Sequence, residues 1–297
     1  MDHVIKKFRV MIDRGKYRTS PLYSTILEQV IDDPEVLAIF ADVDPTKQIN
    51  NLMFGAVHYL LLKGVSHPVA RYYPTLTAEP EAPEGVYPDF RAFCLEHADE
   101  IREIAHTRYV QVNEVGRCRS LVPGFQVVSD LAQGRPLAVF ELGTSAGLLL
   151  HWDRFYYDYG FRQLGPASAR VQLTCEAQGA LRPPIQTGFP PIAARAGMDI
   201  VPVDLDDPDA VLWLQAVVWP DQPERLQRLN HAIAIARENP VSIMQGDAYT
   251  DVAAGVETLP ADAPVCIFYA GLLTAVREAA EEQVAELATT REVYLLG

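Results

Sequence analysis

The sequence predicts an α/β protein, with a helical first part followed by a sheet domain of parallel strands. Three observations lead there. Up to about Leu131 the apolar residues recur at helical spacing. From Arg135 the texture changes to short apolar runs, Leu137–Leu142, Val241–Met244, Val265–Tyr269 and Val293–Leu296, separated by helix-like stretches. A glycine turn, Gly143–Gly147, follows the first run at once. Strands alternating with helices imply right-handed crossovers and parallel pairing, as in a Rossmann-like sheet. The boundary falls near Gly134, giving a helical cap over residues 1–134 and a sheet domain over residues 135–297.

Each element follows from local chemistry. Gln48–Lys63 is almost wholly apolar and predicts a buried helix stopped by Gly64, with His58 as a hydrogen-bonded core histidine. Thr75–Pro88 carries Pro80, Pro83, Gly85 and Pro88 among acids and reads as a surface loop. Asp89–Ala105 and Arg108–Val122 resume helical spacing, with Pro123-Gly124 as punctuation. After the glycine turn, the run from Leu148 continues as a helix. Asp221–Asn239 is an amphipathic helix with Pro223 in its first turn and Pro240 as its stop. Glu278–Thr290 is a helix, and Val293–Leu296 the fifth strand, with a closing antiparallel hairpin expected to be missing or replaced.

Charge narrows the partners. The 297 residues carry 25 basic and 39 acidic side chains, a net charge of −14. Residues 131–297 hold 11 basic and 21 acidic side chains and no lysine. Nucleic acid and anionic membrane surfaces are disfavoured, and a small neutral or cationic substrate is expected. Four scattered cysteines form no Cys-x-x-Cys pair and read as thiols of a reducing compartment. The N-terminus lacks the apolar core of a secretory signal, and a cytoplasmic location is expected.

The strongest chemical feature is Glu141-Leu-Gly143-Thr-Ser145-Ala-Gly147. A glycine turn at the carboxyl end of a buried strand lets backbone approach a ligand. No Gly-Lys-Ser/Thr follows, which excludes a phosphate P-loop, and the Gly-x-x-x-Gly spacing is not the dinucleotide fingerprint. The segment resembles the first motif of class I S-adenosylmethionine-dependent methyltransferases, acid-x-Gly-x-Gly-x-Gly, with Ser145 in place of the central glycine. That resemblance implies S-adenosylmethionine as cofactor, cradled by Glu141, Gly143, Ser145 and Gly147. It assigns Asp199, or the competing Glu176, to the ribose, and Asp247 with Ala248 to the adenine end.

The chain also resembles the bacterial family catalogued as domain of unknown function 2332. The matching segments are His67–Pro74, Gln111–Arg117, Glu141–Leu148, Arg195–Asp204 and Trp213–Arg225, spread over roughly residues 20–275. The resemblance implies that helical and α/β parts travel together. The family pattern has a His-Ser pair after the strand that here ends Phe268-Tyr269-Ala270, and this chain departs from it there.

Asn113 and Arg117, four apart on an expected helix, are candidates for the methionine end of the cofactor or for the substrate. Glu114, His151 and Tyr157 are the candidate catalytic side chains. Asp204, Asp206, Asp207 and Asp209 read as a solvated, helix-capping run, and no metal site is expected. The expected function is methyl transfer to an unidentified small molecule. Two alternatives stand beside it: a catalytically inactive methyltransferase-like binding protein, and a hydrolase built on Gly143-Thr-Ser145-Ala-Gly147, for which no suitably placed histidine follows Ser145.

Overall fold

A computed structural model describes residues 2–179 and 181–297. The helices are α1 (Asp2–Asp13), α2 (Pro21–Val30), α3 (Pro34–Ala38), α4 (Ile49–Leu62), α5 (Val86–Glu96), α6 (Ala98–Thr107), α7 (Cys118–Leu131), α8 (Pro208–Ala216), α9 (Pro223–Glu238), α10 (Val252–Glu257) and α11 (Thr274–Leu287). The strands are β1 (Leu137–Leu142), β2 (Tyr156–Asp158), β3 (Gln163–Leu164), β4 (Gln172–Thr174), β5 (Ile192–Asp199), β6 (Ser242–Gln245), β7 (Val265–Tyr269) and β8 (Val293–Leu296). Two compact units result: residues 1–112 with 207–227, and residues 113–206 with 228–297.

The first unit is helical. Nearly every residue of α4 is buried, as its apolar composition requires, and Gly55 lets the ring of Trp213 on α8 come close. His58 is fully buried, with Nδ1 donating to the Ala216 carbonyl at 2.9 Å and Nε2 facing Thr75 Oγ1 at 2.8 Å. A carbonyl only accepts, so the neutral tautomer carries its proton on Nδ1. Burial pushes its pKa down to about 4. Asp207 caps α8 by accepting the Asp209 N–H, and Asp209 takes the Tyr59 hydroxyl and the Arg108 guanidinium.

The second unit holds a five-stranded, wholly parallel sheet ordered β6-β5-β1-β7-β8. Counted along the main sheet alone, that order is 3-2-1-4-5, a doubly wound arrangement whose connections diverge on either side of β1 and β7. All six residues of β1 are buried, as expected of a central strand covered on both faces. The register pairs Glu141 with Gly197, and Gly197 with Ile243, so these three share one face; Leu142, Met198 and Met244 share the other. On that second face Phe140, Met198, Val252, Val256 and Val284 form an apolar core. A small three-stranded sheet, β3-β2-β4, occupies the insertion between β1 and β5.

Several expectations need correction. The second strand of the main sheet is β5, ending at Asp199, whereas the segment leading to Glu176 belongs to the small sheet. Residues 108–114 are irregular rather than helical, and the next turn, 3-10 at Val115–Arg117, starts where Glu114 accepts the Gly116 N–H. Pro123-Gly124 lies inside α7. The proline leaves the carbonyl of Arg119 without its helical donor, and the Tyr159 hydroxyl supplies one at 2.9 Å. A Cβ on Gly124 would overlap Leu296 of β8, so α7 belongs with the sheet and the boundary moves from Gly134 to Val112/Asn113. The Asp207–Gln227 segment with α8 joins the helical unit. The chain after the glycine turn makes a seven-residue 3-10 stretch, Leu148–Arg154, instead of an α-helix.

Candidate functional site

The turn after β1 runs through three left-handed residues, Gly143 (φ 70°), Ser145 (φ 53°) and Gly147 (φ 70°). Gly143 and Gly147 take this conformation without penalty, while Ser145 carries a cost of about 1–2 kcal/mol. Its surroundings over-determine it. The Ser145 N–H donates to Asp199 Oδ2 at 2.7 Å, its Oγ accepts from Asn113 Nδ2 at 2.9 Å, and its carbonyl accepts the Val203 N–H at 3.1 Å. Asp199 Oδ1 also takes the Val201 N–H at 3.0 Å. The N–H groups of Gly143 and Thr144 both donate to the Met198 carbonyl at 2.9 Å. Thr144 sits so close to β5 that a Cβ on Gly197 would approach it to 2.8 Å.

Beneath the turn, Glu141 is 1% exposed and accepts the Thr144 hydroxyl at 2.6 Å. Burial pushes its pKa up to about 8; the Thr144 hydrogen bond opposes this, and the Asp199 charge adds to it. At neutral pH it is largely a protonated acid. Across the switch point, Arg117 donates to the Ala270 carbonyl at 2.5 Å, just beyond β7, and Leu272 closes on Gly143. Asn113 and Arg117 thus reach the ends of β1 and β7, from an irregular segment and a 3-10 turn rather than from one helix face.

Asp247 stands after β6, and the Gly246 N–H donates to the Asp199 carbonyl at 3.0 Å, tying that loop to the end of β5. Asp247 Oδ1 accepts the Tyr249 N–H at 2.9 Å, and Ala248 is buried in the core. Two apolar residues next to these acids stay in solvent, Ile200 at 59% and Tyr249 at 53% exposure. Sequence reasoning missed both; for Ile200 the available signal was an apolar residue directly after the strand-ending acid Asp199. Asn113, Arg117, Glu141, Gly143, Ser145, Gly147, Asp199 and Asp247 are therefore gathered at the carboxyl ends of β1, β5, β6 and β7, the edge at which open α/β sheets bind ligands.

The candidate catalytic residues are dispersed. Glu114 caps the 3-10 turn beside Arg117. Tyr157 lies fully buried in the small sheet and donates to the Trp152 carbonyl at 2.7 Å. His151 is buried in the 3-10 stretch, with no hydrogen bond to Ser145. The only partner of Ser145 Oγ among the described residues is the Asn113 amide, a donor that cannot take up a proton. Among the described residues no three His, Cys, Asp or Glu side chains group to hold a metal ion, and no helix is long and apolar enough to cross a membrane. The cysteines are unbridged, with Cys94, Cys118 and Cys266 buried.

Comparison with family models places residues 6–297 in the family described as "Uncharacterized protein conserved in bacteria (DUF2332)". The chain belongs to that family. The match extends over helical and α/β parts alike, so the family's defining unit includes both. Searches of curated proteins and of solved structures returned no match.

Proposed function

We propose that the sheet unit is a Rossmann-like, S-adenosylmethionine-dependent methyltransferase domain acting on an unidentified small molecule. One observation carries the reading: the 3-2-1-4-5 order sets Gly143, Asp199 and Asp247 at the carboxyl ends of the first three strands, along one edge. The residues present fit a nucleoside there. Two carboxylates adjoin two exposed apolar side chains, Ile200 and Tyr249, suited to hydroxyls and to the faces of a flat base.

Asp199 and Asp247 would hold the ribose and the adenine end. Arg117, fixed by the Ala270 carbonyl, and Asn113 would receive the carboxylate of the methionine part. Glu141, Ser145 and Gly147 act through the turn, because their polar groups are engaged with neighbouring protein groups rather than directed outward. When bound, the cofactor supplies an electrophilic methyl group for in-line transfer. The protein's contribution is positioning of the acceptor, worth several orders of magnitude in rate when geometry is right. The acidity of this half of the chain favours a neutral or cationic acceptor.

A second reading, binding without transfer, is favoured by the burial of His151 and Tyr157, which leaves Glu114 as the one candidate acid or base near Arg117. Isothermal titration of the full chain with S-adenosylmethionine and its demethylated product tests the proposal. Heat of binding with both ligands, weakened by D199N, is the expected result. No heat for either ligand with a folded sample overturns it. Binding without turnover over a broad panel of small-molecule acceptors favours the second reading, and labelling of Ser145 by a fluorophosphonate favours a hydrolase.

A further inference from the structure

The 3-10 stretch after the glycine turn is too short to cover the sheet, and this opens a second site. After Arg154 the chain leaves for the small sheet, so the face carrying Gly197 and Ile243 is only partly roofed by α9. The gap is a cavity of about 350 Å³, within the range of small-molecule sites. Val241, just before β6, and Ile243 on β6 supply its apolar floor, and Ala236 and Arg237 on α9 one wall. The loop Pro202–Asp206 after β5 supplies the other wall, with the exposed Asp204 and Asp206.

His151 lines this cavity, 1% exposed, and neither ring nitrogen has a hydrogen-bond partner. A buried, unpaired imidazole is costly, since a polar group without partners loses its hydration with nothing in return. Its position is fixed by the protein. Arg195 on β5 grips the same stretch, donating to the Leu150 carbonyl at 2.7 Å and to both oxygens of Asp153 at 2.7 and 2.6 Å. Burial, and after it the charges of Arg195 and Arg154, disfavour a second proton on His151. The ring is thus neutral, with one N–H donor and one acceptor on offer. At the other end, Arg237 donates to the Leu205 carbonyl at 2.9 Å, and among the described residues neither Asp204 nor Asp206 is in an ion pair.

We infer that this cavity is a binding site for a small aromatic amine. Its ring hydroxyl or amide group meets His151, its flat apolar body lies on Val241 and Ile243, and its ammonium sits between Asp204 and Asp206. The cavity meets the glycine turn at Ala146, and the inference does not rest on the methyltransferase reading.

Tyramine, which combines a phenol, an aromatic ring and an ammonium, is the probe. It is titrated into the full chain labelled at histidine with a nitrogen isotope, and the ring resonances of the seven histidines are followed by NMR. The expected result is a saturable shift of the His151 nitrogens. Phenethylamine, lacking the hydroxyl, binds about tenfold or more weakly, because His151 is then left unpaired. Para-hydroxyphenylacetate, with a carboxylate in place of the ammonium, does not saturate. H151F abolishes tyramine binding. Should that core change unfold the protein, D206N at the exposed mouth tests the same geometry, weakening tyramine about tenfold with the fold intact. An unmoved His151 resonance, equal affinity for tyramine and para-hydroxyphenylacetate, or undiminished binding by D206N overturns the inference.

Discussion

Replacing Glu141 by Gln tests the buried acid on which the glycine turn rests. In the folded protein its pKa is about 8, against 4.5 in the ordinary range. The sign follows from proton counting. Between those values the unfolded chain has lost the proton and the folded chain still holds it, so stability falls as pH rises. Tenfold in proton affinity is about 1.4 kcal/mol, so by pH 7 the loss is on the order of 3 kcal/mol. Glutamine keeps an acceptor for the Thr144 hydroxyl and has no such titration. Urea unfolding of both proteins from pH 4 to pH 8 is the assay. The difference between them isolates residue 141, because the two histidines buried neutral, His58 and His151, titrate alike in both. E141Q is expected to gain on the wild type steadily from about pH 5 upward, reaching on the order of 3 kcal/mol near pH 7. A difference independent of pH would refute the argument, because it would place an ionised carboxylate beneath the turn.

The acid side of the same profile has the opposite sign. His58 and His151 have pKa values pushed down to about 4 by burial, so stability is lost as pH falls through the range between their unfolded value near 6.5 and about 4; H58Q should flatten part of that loss in the same unfolding assay. G197A should destabilise by about 1–3 kcal/mol in urea melts, since its Cβ would press on Thr144 in a strand already packed. Y159F should cost about 1 kcal/mol by leaving the Arg119 carbonyl inside α7 without a donor, and thermal melts of the paired proteins read it directly. D199N turns one acceptor oxygen into a donor facing the N–H of Ser145 or Val201, with an expected loss of about 2 kcal/mol. Adding S145G returns about 1 kcal/mol of that loss by removing the left-handed cost at Ser145, and calorimetry should then show stability partly restored and cofactor binding still weakened.

What the sequence disclosed was set by short-range pattern. β1, β7 and β8 were legible because each is a compact apolar run with no competing period, and α4 because its apolar content leaves no solvent face. The parallel pairing of the sheet followed from alternation and handedness, whereas the strand order came only from the structure. Failures occurred where a side chain or a distant element overrode local preference. The segment before α7 has helical spacing yet is irregular, and regular structure begins only where Glu114 caps the turn by taking the Gly116 N–H. Pro123-Gly124 is a breaker by local rules, but Tyr159, 36 positions on, satisfies the freed carbonyl, and Leu296 needs the space that glycine leaves.

The candidate site was legible as a set of strand-end residues and illegible as a network. Gly143 could be named from the glycine turn, and Asp199 and Asp247 from the methyltransferase resemblance, but nothing in the sequence joins Asp199 to the Ser145 N–H across 54 positions. That single bond changes what both residues do. Ser145 stands where the motif of the resembling methyltransferases has glycine, and a serine there needs a partner to hold it left-handed. Asp199 is that partner, so the substitution and the acid are one device: the carboxylate proposed to hold the ribose also closes the turn. A ligand binding Asp199 therefore pulls on the turn as well, and mobility at Ser145 should fall on binding even without direct contact to its hydroxyl. Amide hydrogen exchange of the Ser145 N–H, with and without S-adenosylmethionine, measures this; slower exchange in the presence of the cofactor is expected, and unchanged exchange at saturating cofactor would separate the turn from the binding edge.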